Sequence, residues 1–245
     1  MFRPSLTLIA LAVSAPSFAN DAQKDMERII VSGSRVIESI DEVPASITVI
    51  SRKQIEDHLK VNPELQSLLA QMVPGLAPDT GSSSNTGQSL RGRAPLVMID
   101  GVPQSTPLRN GSSGVKTIDP SALARIEVIK GATSVYGNGA SGGIINYITK
   151  QATAQDTHEG QVSLSSRFSP VKLEESAGAR ISAAINGKVE NFDYLVTASY
   201  EENGVQRDAE GDILGLQYGL SDAETQNYFT KLGYDFDQEK RLQFS

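Results

Sequence analysis

The chain has no cysteine and no tryptophan, and only two histidines, His58 and His158, in 245 residues. Without cysteine there are no disulfides, no thiolate metal ligands and no cysteine nucleophile. The two histidines stand a hundred positions apart, and no carboxylate–histidine cluster accompanies either, so no metal site is expected. Positive charge is also short. The formal net charge is −7, which excludes a general nucleic-acid surface. Long apolar runs are missing too, since none reaches the ~18 residues that a membrane helix needs. Any contact with a bilayer must therefore run through strands.

The chain opens on a pattern for export. Arg3 supplies a positive charge, Leu6 to Val13 an apolar core, and Ser17-Phe18-Ala19 puts small residues at the −3 and −1 positions. Residues 1–19 read as a signal peptide cleaved after Ala19. Export without cysteine suits a bacterial envelope protein. Residues 20–42 are polar except for one apolar island, Glu27, Arg28, Ile29, Ile30, Val31 and Ser32. A short β-prone island in a polar tail suits strand addition to a partner's sheet.

The densest pattern lies at residues 125–150, RIEVIKGATSVYGNGASGGIINYITK. Ile126 to Ile129 predicts a strand that Gly131 ends. Ala132 to Tyr136 has room for one helical turn. Gly137, Gly139, Gly142 and Gly143 predict a tight bend with two backbones in close approach. Ile144 to Thr149 is a second strand. Two motifs here tempt and fail on context. Gly137-Asn138-Gly139-Ala140-Ser141-Gly142 has the spacing of a dinucleotide loop, and residues 139–143 that of a nucleophile elbow. Both need a strand before and a helix after; here a strand follows. His158 falls in a polar linker, away from any nucleophile, and no catalytic constellation remains.

Upstream, Ile47 to Ile50 is a strand. Ser51 with Gln54 makes a capping box for a helix to about Leu59. Asn62 caps and Pro63 starts a second helix, whose Leu65, Leu68, Leu69 and Met72 share one face. Pro74-Gly75 stops it. Residues 79–88 and 104–116 are long polar loops, flanking a buried strand, Leu96 to Ile99, that ends in the turn Asp100-Gly101. Asp119-Pro120 opens a helical turn. Residues 43–150 therefore read as one α+β unit with a mixed sheet. Leu65, Leu68, Leu96, Val97, Ile99, Ile126, Val128, Ile144 and Ile145 are expected to share a single apolar interior.

From about residue 155 to residue 245 the pattern becomes alternating. Phe192, Tyr194, Val196, Ala198 and Tyr200 share one face, and Tyr228, Thr230, Leu232, Tyr234 and Phe236 repeat it. Short links at residues 188–191 and 237–240 alternate with longer ones at 169–175 and 202–222. This is the dyad pattern of a transmembrane barrel, predicting an antiparallel meander of four or five strands. Phe192, Tyr194, Val196, Tyr228, Leu232 and Tyr234 should stand exposed on its convex face. A soluble sandwich used for adhesion or protein binding is the alternative, and would bury those six against a second sheet. Five open strands would leave unpaired backbone groups in lipid at several kcal/mol each. The sequence is thus expected to be the N-terminal part of a longer protein.

The run at 125–150 resembles the plug domain of TonB-dependent outer-membrane receptors. Ile126, Glu127, Val128, Gly131, Tyr136, Gly137, Ala140, Gly142, Gly143, Ile145, Asn146, Thr149 and Lys150 match that family's pattern. The resemblance implies an α+β plug followed by the first antiparallel strands of an incomplete barrel, in the outer membrane, with a periplasmic N-terminus. It implies a gated importer of a scarce chelate, not an enzyme, with no resident cofactor. Residues 27–32 then correspond to the TonB box, which binds the energy-transducing periplasmic protein TonB. Asn85, Gln88, Arg109, Asn110 and Lys116 on the two polar loops become ligand contacts, and Arg91 and Arg93 become contacts between plug and barrel. The runs at 68–75, 91–102, 131–137 and 215–218 are similar to receptors for iron-loaded citrate-hydroxamate siderophores. Catecholate, haem and cobalamin ligands stay open.

Overall fold

The computed structural model describes residues 30–31, 38–39, 46–62, 64–78, 88–104, 118–134, 139–151, 157–214, 221–237 and 240–245. Residues 1–19, with the expected leader, lie outside them. Near the N-terminus β1 (Ile30–Val31) pairs antiparallel with β2 (Glu38–Ser39).

The first large unit is a five-stranded mixed sheet. It comprises β3 (Ser46–Ser51), β4 (Leu96–Ile99), β5 (Val102–Pro103), β6 (Leu123–Lys130) and β7 (Gly143–Thr149), in the spatial order β3-β6-β7-β4-β5. Only β4 and β7 run parallel. Helix α1 (Arg52–Leu59) starts at the expected capping box. Ser51 Oγ accepts from the Gln54 N–H, and Gln54 Oε1 accepts from the Ser51 N–H at 2.8 Å. Helix α2 (Leu65–Met72) starts later than its sequence suggests, with Glu64 as an extended N-cap that makes no side-chain bond. Asn62 is occupied one step earlier. Its Oδ1 accepts from the Glu64 N–H at 2.9 Å, an Asx-type bond that turns the chain before the helix.

The interior is two clusters, not one. Leu65, Leu68, Val97, Ile126, Val128 and Ile145 pack together under α1 and α2, with Ile99 half-buried against them. Leu96 and Ile144 belong to a second cluster with Met98, Ile129 and Ala140. The register explains the split. Leu96, Ile144 and Ile129 are cross-strand partners, and Val97, Ile145 and Val128 are the next row. Successive side chains on a strand point to opposite faces. A central strand covered on both faces is therefore apolar throughout, and shows no alternation.

The link between β6 and β7 holds no helix over Ala132 to Ser134, and residues 135–138 lie outside the described set. The chain returns as an extended bend, with Thr133 N–H donating to Ala140 O at 3.2 Å. Gly142 is required by close approach: a Cβ there would stand 2.5 Å from Arg93 O. Gly143 has φ of +128° and would drive a Cβ into Ile129 O. The two glycines let the turn at residues 90–94 cross directly beneath the start of β7.

The second large sheet is an open up-and-down meander, β8 (His158–Arg167), β9 (Gly178–Val189), β10 (Phe192–Asn203), β11 (Ala223–Asp235) and β12 (Arg241–Phe244), each antiparallel to its neighbour. His158 is the first residue of β8 and not part of a linker. Its Nδ1 lies 2.9 Å from Tyr194 Oη. Of the six side chains that distinguish a sandwich from a membrane wall, Phe192, Val196, Tyr228 and Tyr234 are exposed, and Tyr194 and Leu232 are half-buried. They are not sealed beneath a second sheet. The opposite face carries Asp193, Thr197, Ser199, Ser182 and Lys231, all buried. No helix among the described residues is long and apolar enough to cross a membrane.

Candidate functional site

On the central strands β9, β10 and β11 polar side chains of the meander are buried because the first sheet lies against them, whereas β8 and β12 are exposed throughout. Three sets of side chains make that seam. The first is built on the turn between β4 and β5, where Asp100 (φ 48°) and Gly101 (φ 80°) reverse the chain in two residues. Asp100 Oδ1 accepts from the Thr149 N–H at 2.9 Å, and Oδ2 from Thr149 Oγ1 at 2.6 Å. Lys231 of β11 reaches across and donates to Asp100 Oδ2 and Thr149 Oγ1, both at 2.8 Å. Lys231 is only 1% exposed. Ammonium and carboxylate are each met by more than one partner, which an ion pair needs to survive burial.

The second set surrounds Asp119, the N-cap of the 3-10 turn Pro120–Ala122. Its Oδ1 accepts from the Ser121 N–H at 2.8 Å, and Oδ2 from Arg180 Nη2 of β9 at 2.7 Å. Burial pushes this carboxyl up, but the Arg180 guanidinium and the Ser121 bond outweigh it and hold the group below its ordinary 3.8. Arg180 also reaches Glu201 at 3.4 Å, and Glu201 pairs with Arg167 at 3.1 Å. The third set centres on Arg52 at the start of α1. It donates to Pro120 O at 2.9 Å, Leu123 O at 2.8 Å, Glu56 at 2.7 Å and Gln161 of β8 at 3.2 Å. Lys150 stands nearby, its amine pulled down by burial and by the Arg52 charge.

Between α1 and the edge strand β8 the seam opens into a groove of about 720 Å³, lined on β8 by every residue from Gln161 to Arg167. No group of three or more acidic or histidine side chains placed to hold a metal occurs among the described residues.

Of the expected loop contacts, Asn85, Arg109, Asn110 and Lys116 lie outside the described residues. Gln88 is half-buried, and its Nε2 has no hydrogen-bond partner among them. Arg91 and Arg93 sit on the turn at residues 90–93, exposed and without an ion pair among the described residues. Of the expected TonB box, Ile30 and Val31 are described, paired with Ser39 and Glu38; Glu27, Arg28, Ile29 and Ser32 are not. The seam residues Asp100, Asp119, Thr149, Arg180 and Lys231 were not singled out by the sequence pattern. One signal was available: Lys231 and Arg180 occupy the polar phase of alternating strands, where a cation needs a partner inside.

Residues 39–144 match the family model described as TonB-dependent receptor plug domain. The chain is 32% identical over 242 residues to the ferric aerobactin receptor of Klebsiella pneumoniae, covering 98% of this chain and 32% of that protein. It is 30% identical over 234 residues to the rhizobactin receptor of Rhizobium meliloti, covering 94% of this chain and 31% of that one. A solved structure of the Pseudomonas aeruginosa ferric enterobactin receptor superposes with a TM-score of 0.60 at 26% identity, over 83% of this chain and 32% of that chain. The chain thus spans about a third of the length of these relatives. With the plug sheet seated on the inner face of an open antiparallel wall, and with these matches at both levels, the chain belongs to the TonB-dependent receptors.

Proposed function

We propose that this chain is the leader, coupling segment, plug and first wall strands of an outer-membrane importer of a ferric siderophore of the citrate-hydroxamate class. In this reading residues 1–19 are removed, residues 20–42 carry the TonB box, residues 43–150 form the plug, and residues 155–245 begin the barrel. The observation that carries it is the inversion of the meander. On β9, β10 and β11 the apolar face is exposed and polar side chains are buried on the face toward the plug, as a barrel wall requires when lipid lies outside and a plug inside. The choice of ligand class is supported by relatives named as receptors for aerobactin and rhizobactin.

The TonB box at residues 27–32 recruits TonB by strand addition. Asn85, Gln88, Arg109, Asn110 and Lys116 meet the ligand from the apical loops, where cations and amides suit its carboxylates. Arg91 and Arg93 face acidic groups on the remainder of the barrel. Coupling is tested by Ile30→Pro in the full-length receptor, since proline removes an N–H and blocks strand pairing. Uptake of radiolabelled iron should fall to background while whole-cell binding of the ferric ligand persists. Uptake at the parental rate would sink the assignment of residues 27–32. Competition between iron-loaded citrate-hydroxamate and catecholate ligands decides the class.

A further inference from the structure

The two ends of the meander differ. His158 opens β8 beside Gly187 of β9, so the chain coming from the plug enters the wall at the end that carries the short links, residues 190–191 and 236–240. The long links, residues 168–177 and 204–222, lie at the other end. Their described parts are joined to each other. Val205 N–H donates to Glu175 O at 2.6 Å. Gly204 lies so close to the first link that a Cβ there would stand 2.5 Å from Glu175 O and 2.6 Å from Ala177 O. Arg207 completes the join. Its Nη1 donates to Gly211 O of its own link at 3.0 Å, and its Nη2 to Glu174 O of the other link at 3.1 Å. The side chain is 3% exposed, with the Glu175 carboxylate 3.9 Å away.

Each link is also folded on itself. In the first, Ser176 Oγ accepts from the Ser169 N–H at 3.0 Å and donates to Lys172 O at 2.9 Å. In the second, Asp208 Oδ1 accepts from the Glu210 and Asp212 N–H groups at 3.1 and 2.9 Å. Phe168, Val171 and Leu173 of the first link and Ile213 and Leu214 of the second are exposed, so the join is not an apolar core. It is held by polar bonds, and a buried guanidinium that meets carbonyls on both sides is well placed to decide it.

We infer that the two long links form one lobe, assembled before any ligand arrives, and that Arg207 is the positioning residue that ties them. The role of the lobe rests on the importer reading, in which these links stand on the outer side and shape the entrance for the ferric ligand. A preassembled rim spares the ligand the cost of ordering two separate loops. Loss of the tie should therefore weaken capture and leave translocation alone. Lysine is no substitute, since its single nitrogen on a flexible stem does not reproduce a planar fork held between two carbonyls.

Hydrogen exchange of the unliganded full-length receptor tests the lobe. In Arg207→Met, amides of residues 172–177 should exchange about tenfold faster together with those of residues 204–214, while plug and strand amides keep their parental rates. Arg207→Lys should reproduce most of that loss. Gly204→Ala, which parts the links from the backbone side, should loosen the same two stretches. If residues 204–214 alone speed up in Arg207→Met, the arginine braces its own link and the inference falls. Uptake of a radiolabelled iron complex of a citrate-hydroxamate chelator tests the role. The KM of Arg207→Met should rise about three- to tenfold at an unchanged Vmax, as loss of preorganisation would give. A parental KM, with or without a lower Vmax, overturns the role in capture. If both links respond in exchange but the parental receptor takes up no such complex, the importer reading fails and the lobe stands. If Ile30→Pro stops a sound parental uptake while Arg207→Met leaves residues 172–177 protected, the importer reading stands and the lobe falls.

Discussion

The plug and the wall solve opposite burial problems with the same kind of strand. In the plug, β4 and β7 are covered on both faces, so Leu96 to Met98 and Ile144 to Ile145 are buried without a break. In the wall, β10 alternates strictly: Asp193, Leu195, Thr197 and Ser199 are buried, while Phe192, Val196 and Tyr200 are exposed. Tyr228 is 76% exposed and Lys231, three residues on in the same strand, 1%. In the plug the hydrophobic effect draws apolar side chains inward. In the wall, burial is decided by what the plug offers, namely carboxylates, carbonyls and hydroxyls. An apolar side chain at Lys231 would leave Asp100 without its cation. A charge at Tyr228 would meet lipid.

The largest effect should come from the plug interior. Ile145→Ala removes three carbons from a site with no exposure, and should cost about 3–4 kcal/mol. Hydrogen exchange of plug amides in the full-length receptor measures it. The wall counterpart, Ile185→Ala, lies on the exposed face of β9 and should leave plug exchange unchanged. Equal effects would erase the distinction between the two sheets.

Next is the seam. Lys231→Met leaves Asp100 buried without its cation and should weaken plug seating by about 3 kcal/mol, the low end for a broken buried pair because Asp100 keeps some contact with solvent. Adding Asp100→Asn removes the stranded charge and should recover part of the loss. A double-mutant cycle on plug release by denaturant reads the coupling. Additive losses would show that the 2.8 Å contact carries no interaction energy.

Smaller again is the cost of charging the outer face. Val196→Lys should destabilise insertion into bilayers by about 2 kcal/mol, with the exact value set by its depth. The same change at Thr48, half-buried at the edge strand β3, should not affect insertion at all. Refolding into lipid vesicles separates the two.

Much of this architecture was legible in the sequence, for reasons that particular residues make plain. Alternation from Phe192 to Tyr200 gave the wall its two faces, because one face meets a different solvent from the other. The capping box at Ser51 and Gln54 is local, and local signals survive tertiary context. The split of the plug core was not legible. Leu96 and Val97 are both apolar, so nothing in the run says that they face opposite ways until the register with Ile144 and Ile145 is known. The helix expected at Ala132 to Tyr136 gave way, over its described part, to an extended bend tied by Thr133 to Ala140. The seam was the least legible part. Asp100 and Lys231 are 131 positions apart, and Asp119 and Arg180 are 61. Asp100 reads as a turn residue and Asp119 as a cap, and each does both jobs. The two ion pairs that join plug and wall among the described residues, Asp100–Lys231 and Asp119–Arg180, take their cations from the wall and their acids from the plug.

The smallest effect should be the response of the seam to acid. Asp119 has a folded pKa below its ordinary value: burial raises it, but the Arg180 charge and the Ser121 bond more than reverse that. A carboxyl depressed in the folded state contributes stability that is complete above its ordinary unfolded value of 3.8 and is lost as pH falls through the folded value. Plug seating should therefore be flat with respect to this group from neutral pH down to about 5, and should weaken only below about 4. Protonation would discharge Asp119 and leave Arg180 held by Glu201 alone, 3.4 Å away. Proteolysis of the plug in the full-length receptor, followed from pH 5 to pH 3, should show the parental protein losing protection in this interval. Asp119→Asn cannot titrate. It should start from weaker protection at pH 5 and lose less of it on acidification. If both proteins lose protection in parallel, the acid response belongs to other carboxyls, and the Asp119–Arg180 contact is not part of what holds plug to wall.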